Sequence, residues 1–335
     1  MGKVILLTGA AGFIGSHTAD ALLARGDQVI GLDNLNDYYD PARKEANLAE
    51  VKEGLAQKGK SDQFTFIKGD IRDPKILKEI FTSYQFDSVV HLAAMAGVRV
   101  SIDNPHLYYD VNVTGTLNLL DAAIKREGSK AGTKHIPAFV FASTSSVYGN
   151  TKVIPFKEDD FCDRPLAPYA ASKRASEMLG FSYHHLYGVP FTNLRFFTVY
   201  GPRGRPDMMA YKVLDNIFFD QEVPLYNSGQ MHRDWTFVED IAAGILGAVD
   251  RPLGYEIMNL GRGEPVLLAE FVSFIEQLVG KKANLVPTPM LDADIAYTFA
   301  DISKTKDLLG YDPTVSVKEG VTRFWEWYQR VVLKK

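Results

Sequence analysis

Short continuous apolar runs alternate with longer amphipathic stretches along the first two thirds of the chain. Val4-Ile5-Leu6-Leu7-Thr8 is apolar without polar alternation, the pattern of a strand buried on both faces. Ser16 to Arg25 places Ala19, Leu22 and Leu23, with Ile14 just before it, at helical spacing and stops near Gly26. Gln28 to Asp33 is a second apolar run that ends on an acid. The rhythm continues. Helices are expected over about 42–57, over Lys75 to Tyr84, from Pro105 to about residue 126, and from Pro168 to Tyr187. Strands are expected at Phe64–Lys68, Asp87–Leu92, Ala138–Ala142 and Phe191–Phe196. Strands and helices alternating at this spacing predict an α/β fold, a Rossmann-like doubly wound parallel sheet.

The texture changes near Gly201. Pro202, Pro206, Pro224, Pro252, Pro265, Pro287 and Pro289 punctuate shorter elements, which predicts a smaller C-terminal lobe. The expected division is 1–198 for the sheet domain and 199–335 for the lobe. A helix over Phe237–Val249 would return to the first domain near 235–260. With 335 residues there is material for both cores.

Between the first strand and first helix lies Gly9-Ala10-Ala11-Gly12-Phe13-Ile14-Gly15. Three glycines in seven residues let the backbone turn tightly and approach a ligand. The following helix aims its free N–H groups and positive dipole end at that place, which suits a pyrophosphate. Asp33 ends the second strand, where its carboxylate can accept from ribose hydroxyls and repel a 2′-phosphate. NAD is therefore expected over NADP. The remaining interesting residues, Asp70, Ala93, Ala94, Ser143 and Thr144, also fall at the carboxyl ends of strands.

Net charge changes the list of partners. At −4, with no basic block, nucleic-acid binding has no electrostatic support. A single cysteine, Cys162, excludes an intrachain disulfide and a cysteine metal cluster. No apolar run is long enough to span a bilayer, and the glycine-broken start does not read as a signal peptide. A soluble cytoplasmic protein that uses no metal and binds no membrane is the expectation.

Candidate chemistry begins at Pro168-Tyr169-Ala170-Ala171-Ser172-Lys173, the start of a helix, where Tyr169 and Lys173 share a face. A phenol near pKa ~10 is a poor base at neutral pH; lowering it about three units needs roughly 4 kcal/mol. Two close positive charges, an ammonium and a cationic nicotinamide, could supply that. Tyr169 would then take a proton from a substrate hydroxyl. Taken alone, the pair also reads as a surface Tyr/Lys contact. Ser143-Thr144-Ser145-Ser146 after the fifth strand could bind the reacting oxygen and relay its proton, or simply cap the strand.

Together, the Gly-x-x-Gly-x-x-Gly turn, Asp33, the hydroxyl after strand five and Tyr169-x-x-x-Lys173 resemble the extended short-chain dehydrogenase/reductase family. Arg195-Phe196-Phe197-Thr198-Val199-Tyr200-Gly201-Pro202 is similar to its nucleotide-sugar branch. The resemblance implies that Thr144, Tyr169 and Lys173 are catalytic. It implies that Gly9, Gly12, Phe13, Ile14, Gly15, Asp33, Asn34, Asn36, Asp70, Ile71, Leu92, Ala93, Ala94 and Asn112 contact the cofactor, together with Tyr169 and Lys173. For the substrate it implies Arg99, Thr144, Ser145, Ser146, Tyr169, Thr198, Arg205, Tyr226, Arg233 and Asp294. Arg233 would meet the diphosphate, with a surface salt bridge as the alternative. Tyr226 would stack on the base, or belong to the lobe core. Where relatives often carry an arginine three residues before Asp294, this chain has Leu291.

The branch contains several reactions. Relatives that eliminate water carry an Asp-Glu pair where this chain has Ser145 and Ser146, and decarboxylating relatives carry Glu at the second of those places. The resemblance therefore implies epimerisation at carbon 4 of a UDP-sugar, which needs only Thr144, Tyr169 and tightly held NAD. Gly201-Pro202-Arg203-Gly204-Arg205-Pro206-Asp207-Met208 and the early Asp33-Asn34-Leu35-Asn36-Asp37-Tyr38-Tyr39 are similar to the members that act on UDP-glucuronate. Oxidising carbon 4 of a glucuronate makes a β-keto acid, so the carboxylate must be restrained. Arg205 and Thr198 are the expected restraints; bracing the lobe or binding phosphate is the alternative for Arg205. UDP-glucose or UDP-N-acetylglucosamine is the alternative substrate, and decarboxylation of UDP-glucuronate the alternative reaction. The resemblance also implies a homodimer formed through the helices that start near Pro105 and Pro168.

Overall fold

The structure is a computed structural model that describes residues 2–124, 135–290 and 292–334. In chain order the first elements are β1 (Val4–Thr8), α1 (Phe13–Ala24), β2 (Gln28–Asp33), α2 (Pro41–Ala56), β3 (Phe64–Lys68), α3 (Pro74–Ser83) and β4 (Ser88–His91). Next come α4 (Val98–Asp103), α5 (Pro105–Tyr109), α6 (Gly115–Ile124), β5 (Ala138–Thr144), α7 (Pro168–Tyr187), β6 (Phe191–Phe196) and β7 (Thr198–Tyr200). The rest is α8 (Met209–Phe218), β8 (Glu222–Tyr226), β9 (His232–Phe237), α9 (Val238–Asp250), β10 (Tyr255–Leu260), β11 (Pro265–Leu267), α10 (Leu268–Val279), β12 (Asn284–Thr288), α11 (Ser303–Leu309) and α12 (Val317–Trp327).

Seven strands pair in parallel in the order β10-β6-β5-β4-β1-β2-β3. The unbroken apolar run of β1 has a direct cause. Ile5 and Leu7 enter one core, shared with α1, α2 and α9, while Leu6 enters the other, shared with α3 and α6. Strand order turns around between β1 and β4, and the crevice above that switch point is where such sheets receive ligands.

The chain leaves the sheet after β6 and builds a second core around Tyr200, Tyr211, Trp235, Phe271, Phe324 and Tyr328. Trp235 and Phe271 stack there at 3.9 Å. It also comes back: α9 packs on α1, and β10 extends the sheet beside β6.

One expected helix is divided. From Pro105 onward the chain forms α5, a wider π turn over Asp110–Thr114, and then α6; the last residues of the expected helix lie outside the described ones. Asn104, ahead of Pro105, takes φ −130° and ψ 49°, outside the helical region. The π turn carries Asn112, whose side chain is bonded to the 93–97 segment.

Candidate active site

The carboxyl ends of the strands open into a cleft of about 670 Å³. Gly9, at φ +72°, begins the turn after β1; a Cβ there would stand 2.7 Å from the Ala93 nitrogen. Gly12 caps α1 without any side-chain hydrogen bond, so the first N–H groups of that helix meet the cleft uncapped. Beside them Asp33 accepts from the N–H of Ala11 (3.1 Å) and of Leu35 (2.9 Å). Burial pushes its pKa up, opposed by the Leu35 bond, Lys44 and the Ala11 bond. A bare helix end next to an acceptor carboxylate fits the pyrophosphate and ribose of a dinucleotide.

Gly15, Phe13, Ile14, Asn34, Asn36, Ile71, Leu92, Ala93 and Ala94 line the same half of the cleft. Asp70 lines it too and accepts from Asn34 Nδ2 at 2.9 Å. Burial works to raise the Asp70 pKa, but the bonds from Arg72 and Asn34 outweigh it and hold it at about 2. Asn112 is different, because it stands behind the wall. Its Oδ1 accepts from the Met95 N–H, and its Nδ2 donates to Met95 O and Ser172 Oγ. Its amide braces the Met95 segment against α7, with both ends engaged by the protein.

Thr144 ends β5 and Tyr169 opens α7, so the strand and the helix deliver their hydroxyls to one point. Both hydroxyl-bearing residues line the cleft, and Tyr108 meets the Tyr169 ring edge-on at 6.1 Å. Thr144 Oγ1 accepts from the Ser146 N–H and donates to Ser146 Oγ, both at 3.2 Å. Burial raises the pKa of Tyr169, against the Thr144 bond and the charge of Arg205. Lys173 lies one turn on, its Nζ 4.6 Å from the centre of the Phe141 ring. Burial brings its pKa down to about 7, and Glu177 partly restores it.

Within the protein, Thr144 and Arg205 pull the Tyr169 pKa down. The lysine ammonium rests over Phe141 and in the field of Glu177. Below it runs a fully buried set that sequence reasoning missed. Arg195 of β6 grips Glu177 of α7 through two 3.0 Å bonds, and Ser143 Oγ donates to Glu177 at 2.5 Å. Arg195 was visible only as part of a motif; its partner lies 18 residues away, with no local signal to pair them.

The other half of the cleft is lined by Arg99, Ser145, Ser146, Thr198, Arg205, Tyr226, Arg233 and Asp294. Arg99 pairs with Asp294 at 2.8 Å and lies over Tyr226 at 4.0 Å. Tyr226 also packs on the lobe core. Arg233 donates to His232 O (2.9 Å) and Ala296 O (3.4 Å) rather than to a carboxylate among the described residues. Burial lowers its pKa to about 10, with Asp294 raising it and Arg99 lowering it further. Leu291 lies outside the described residues.

Arg205 bonds Asp207 twice, Nε to Oδ1 at 3.0 Å and Nη2 to Oδ2 at 2.6 Å. Tyr38, Tyr39, Gly97, Asp207 and Lys212 also line the cleft and were not singled out from sequence. Tyr38, Tyr39 and Asp207 stood within the two quoted motif stretches, without roles of their own. At Gly97, φ is +112°, and a Cβ would come within 2.8 Å of the Tyr38 hydroxyl, which keeps this wall thin.

A Rossmann-like sheet with a hydroxyl, a phenol and a lysine over an uncapped helix end defines a class, and the chain belongs to the extended short-chain dehydrogenase/reductase family. The family model described as GDP-mannose 4,6 dehydratase matches residues 6–324. The chain is 44% identical over 323 residues to a UDP-glucuronate 4-epimerase of Thermodesulfobacterium geofontis, covering 96% of this chain and 95% of that protein. Its structure is similar to the UDP-glucuronic acid 4-epimerase of Bacillus cereus in complex with UDP-glucuronic acid and NAD. That likeness has a TM-score of 0.86 at 32% identity and covers 98% of this chain and 99% of the other. A UDP-glucose 4-epimerase of Thermotoga maritima is similar as well, with a TM-score of 0.86 at 29% identity over 98% and 99% of the two chains.

Proposed function

We propose that this chain is an NAD-dependent UDP-glucuronate 4-epimerase that interconverts UDP-glucuronate and UDP-galacturonate. The observation that carries the reading is the meeting of Thr144, Tyr169 and Arg205 in one cleft with a bare helix N-terminus, while positions 145 and 146 hold serines. Serine offers no carboxylic acid or base for eliminating water.

Bound NAD would supply a reversible hydride acceptor at carbon 4. The residues do the rest. Tyr169 takes the 4-hydroxyl proton and later returns one, with Thr144 holding the same oxygen and the phenol in line. Lys173 contributes a positive charge beside the cofactor ribose. Arg205 and Thr198 hold the sugar carboxylate out of the alignment that would expel carbon dioxide. Arg99, Tyr226, Arg233 and Asp294 keep the UDP in the lobe while the sugar presents its opposite face. The cofactor domain in this reading is 1–198 with the returning segment near 235–260, and the lobe is the remainder of 199–335. A neutral UDP-glucose is the second reading, which the likeness to the UDP-glucose 4-epimerase of Thermotoga maritima supports.

The test is product analysis of purified protein given UDP-glucuronate. Formation of UDP-galacturonate without carbon dioxide or UDP-xylose is expected. Turnover confined to UDP-glucose would overturn the substrate, and release of carbon dioxide would overturn the reaction.

The reading extends to assembly. Helices α4, α5 and α7 pack on one another and expose Ile102, Leu107, Tyr109, Met178, Phe181 and Leu186. A second copy of the chain is the proposed cover, giving a homodimer. Among the described residues no helix is long and apolar enough to cross a membrane. A cytoplasmic location accords with the lone, buried thiol of Cys162.

A further inference from the structure

Arg205 carries the proposed sugar specificity, and its guanidinium is already held on three sides. A guanidinium presents donors along two forked edges. The edge formed by Nε and Nη2 is filled by Asp207, at 3.0 and 2.6 Å. The Tyr38 ring covers one face, with its centre 5.0 Å from Arg205 Cζ. Nη2 makes only long contacts of 3.5 Å to the Tyr38 hydroxyl and the Ala96 carbonyl, and Nη1 makes no hydrogen bond among the described residues. What remains for a ligand is the outer edge, Nη1 with Nη2. The side chain lines the cleft and is 17% exposed.

The local chain explains how Asp207 reaches its place. It lies two residues beyond Arg205, and Pro206 between them fixes φ of the intervening residue. Asp207 is thereby a nearby, short-armed partner with little freedom. On the same wall the Tyr108 hydroxyl donates to Ala96 O at 3.0 Å.

We propose that Asp207 is a positioning residue for uronate recognition: by occupying the inner edge of the Arg205 guanidinium, it turns the outer edge toward the sugar carboxylate. A long, flexible arginine without that partner would lose rotamer freedom on binding substrate, a cost that Asp207 has already met in the free protein. Two carboxylates on opposite edges of one guanidinium is a geometry that lysine cannot reproduce. This inference rests on the reading of Arg205 as the carboxylate's partner, and it yields a specificity determinant that does not itself touch the sugar.

The test measures binding rather than turnover, in the NAD-loaded protein carrying Tyr169→Phe so that bound sugars persist. Asp207→Asn keeps the size of the side chain and removes its charge. It is expected to weaken UDP-glucuronate about tenfold and UDP-glucose less than about twofold. In an Arg205→Ala background the same change should have almost no further effect on UDP-glucuronate, because the partner it orients is gone. NAD content is read in parallel. If Asp207→Asn fails to hold NAD, Asp207→Glu, which keeps the charge on a longer arm, is measured instead and should show the same selective loss in smaller degree. Equal weakening of both sugars, no weakening, or tighter UDP-glucuronate binding would each overturn the proposal; the last would make Asp207 a competitor for the guanidinium. Absence of UDP-galacturonate formation by the unaltered protein would instead overturn the proposed reaction, and that assay is separate.

Discussion

Tyr169 has to give up a proton from surroundings that hold it back, since burial raises its pKa and only Thr144 and Arg205 oppose. Replacing the phenol should therefore leave the cofactor site standing and stop the chemistry: Tyr169→Phe is expected to retain NAD and lose about 10³-fold or more in turnover, read by single-turnover assay. Lys173 permits a sharper test. Its pKa falls from an ordinary 10.5 to about 7 because it is buried. Between pH 7 and 9.5 the unfolded chain keeps that proton and the folded chain has released it. Stability of the NAD-free protein should thus rise with pH across that window, by about 1–3 kcal/mol, and Lys173→Met should flatten the rise in denaturant titrations. Thr144, Tyr169 and Lys173 were legible in the sequence because each follows from a strand end or a helical spacing. Asp207 was not, since an acid two residues from an arginine is commonplace until the fold shows which edge of the guanidinium it fills. The bracing role of Asn112 was not legible for a similar reason: only the packed structure shows that its amide bonds to Met95 and Ser172.

At the level of elements, the segment joining β7 to α8 is tied to the cofactor side from behind. Arg203, at φ +59°, bonds Asp20 of α1 at 2.6 Å and Glu50 of α2 at 3.0 Å. Burial lowers the His17 pKa to about 4, so its ring is neutral at physiological pH and donates from Nε2 to Pro202 O at 2.9 Å. The same segment carries Arg205, two residues on. Arg203→Ala should cost about 1 kcal/mol of stability, given the partial exposure of its partners. It should also speed NAD loss, measured by nucleotide content after dialysis, and raise KM for UDP-glucuronate more than it lowers kcat. The strands of the first domain could be read from their apolar runs, and α7 from its period, because those signals are local. The π turn at Asp110–Thr114 could not, since it answers to a bond between Asn112 and a segment about seventeen residues earlier.

For the whole molecule, the proposed second copy makes a clear demand. Phe181 is 53% exposed on α7 among other apolar side chains. Phe181→Asp should leave the fold intact and halve the mass seen by analytical ultracentrifugation; an unchanged mass would place the interface elsewhere. The proline spacing pointed to a lobe after residue 198, yet the sequence alone did not mark β10 as a strand of the main sheet. Its apolar pattern is short and partly exposed, and what makes it a strand is pairing with β6. That pairing has a consequence during synthesis. When β6 first emerges from the ribosome its outer edge has no neighbour, and it stays open while about sixty further residues are made, among them the lobe's first strands. A nascent chain stalled in that interval would offer a ready template for pairing with another copy, so the interval between Phe196 and Tyr255 is where a chaperone would matter most.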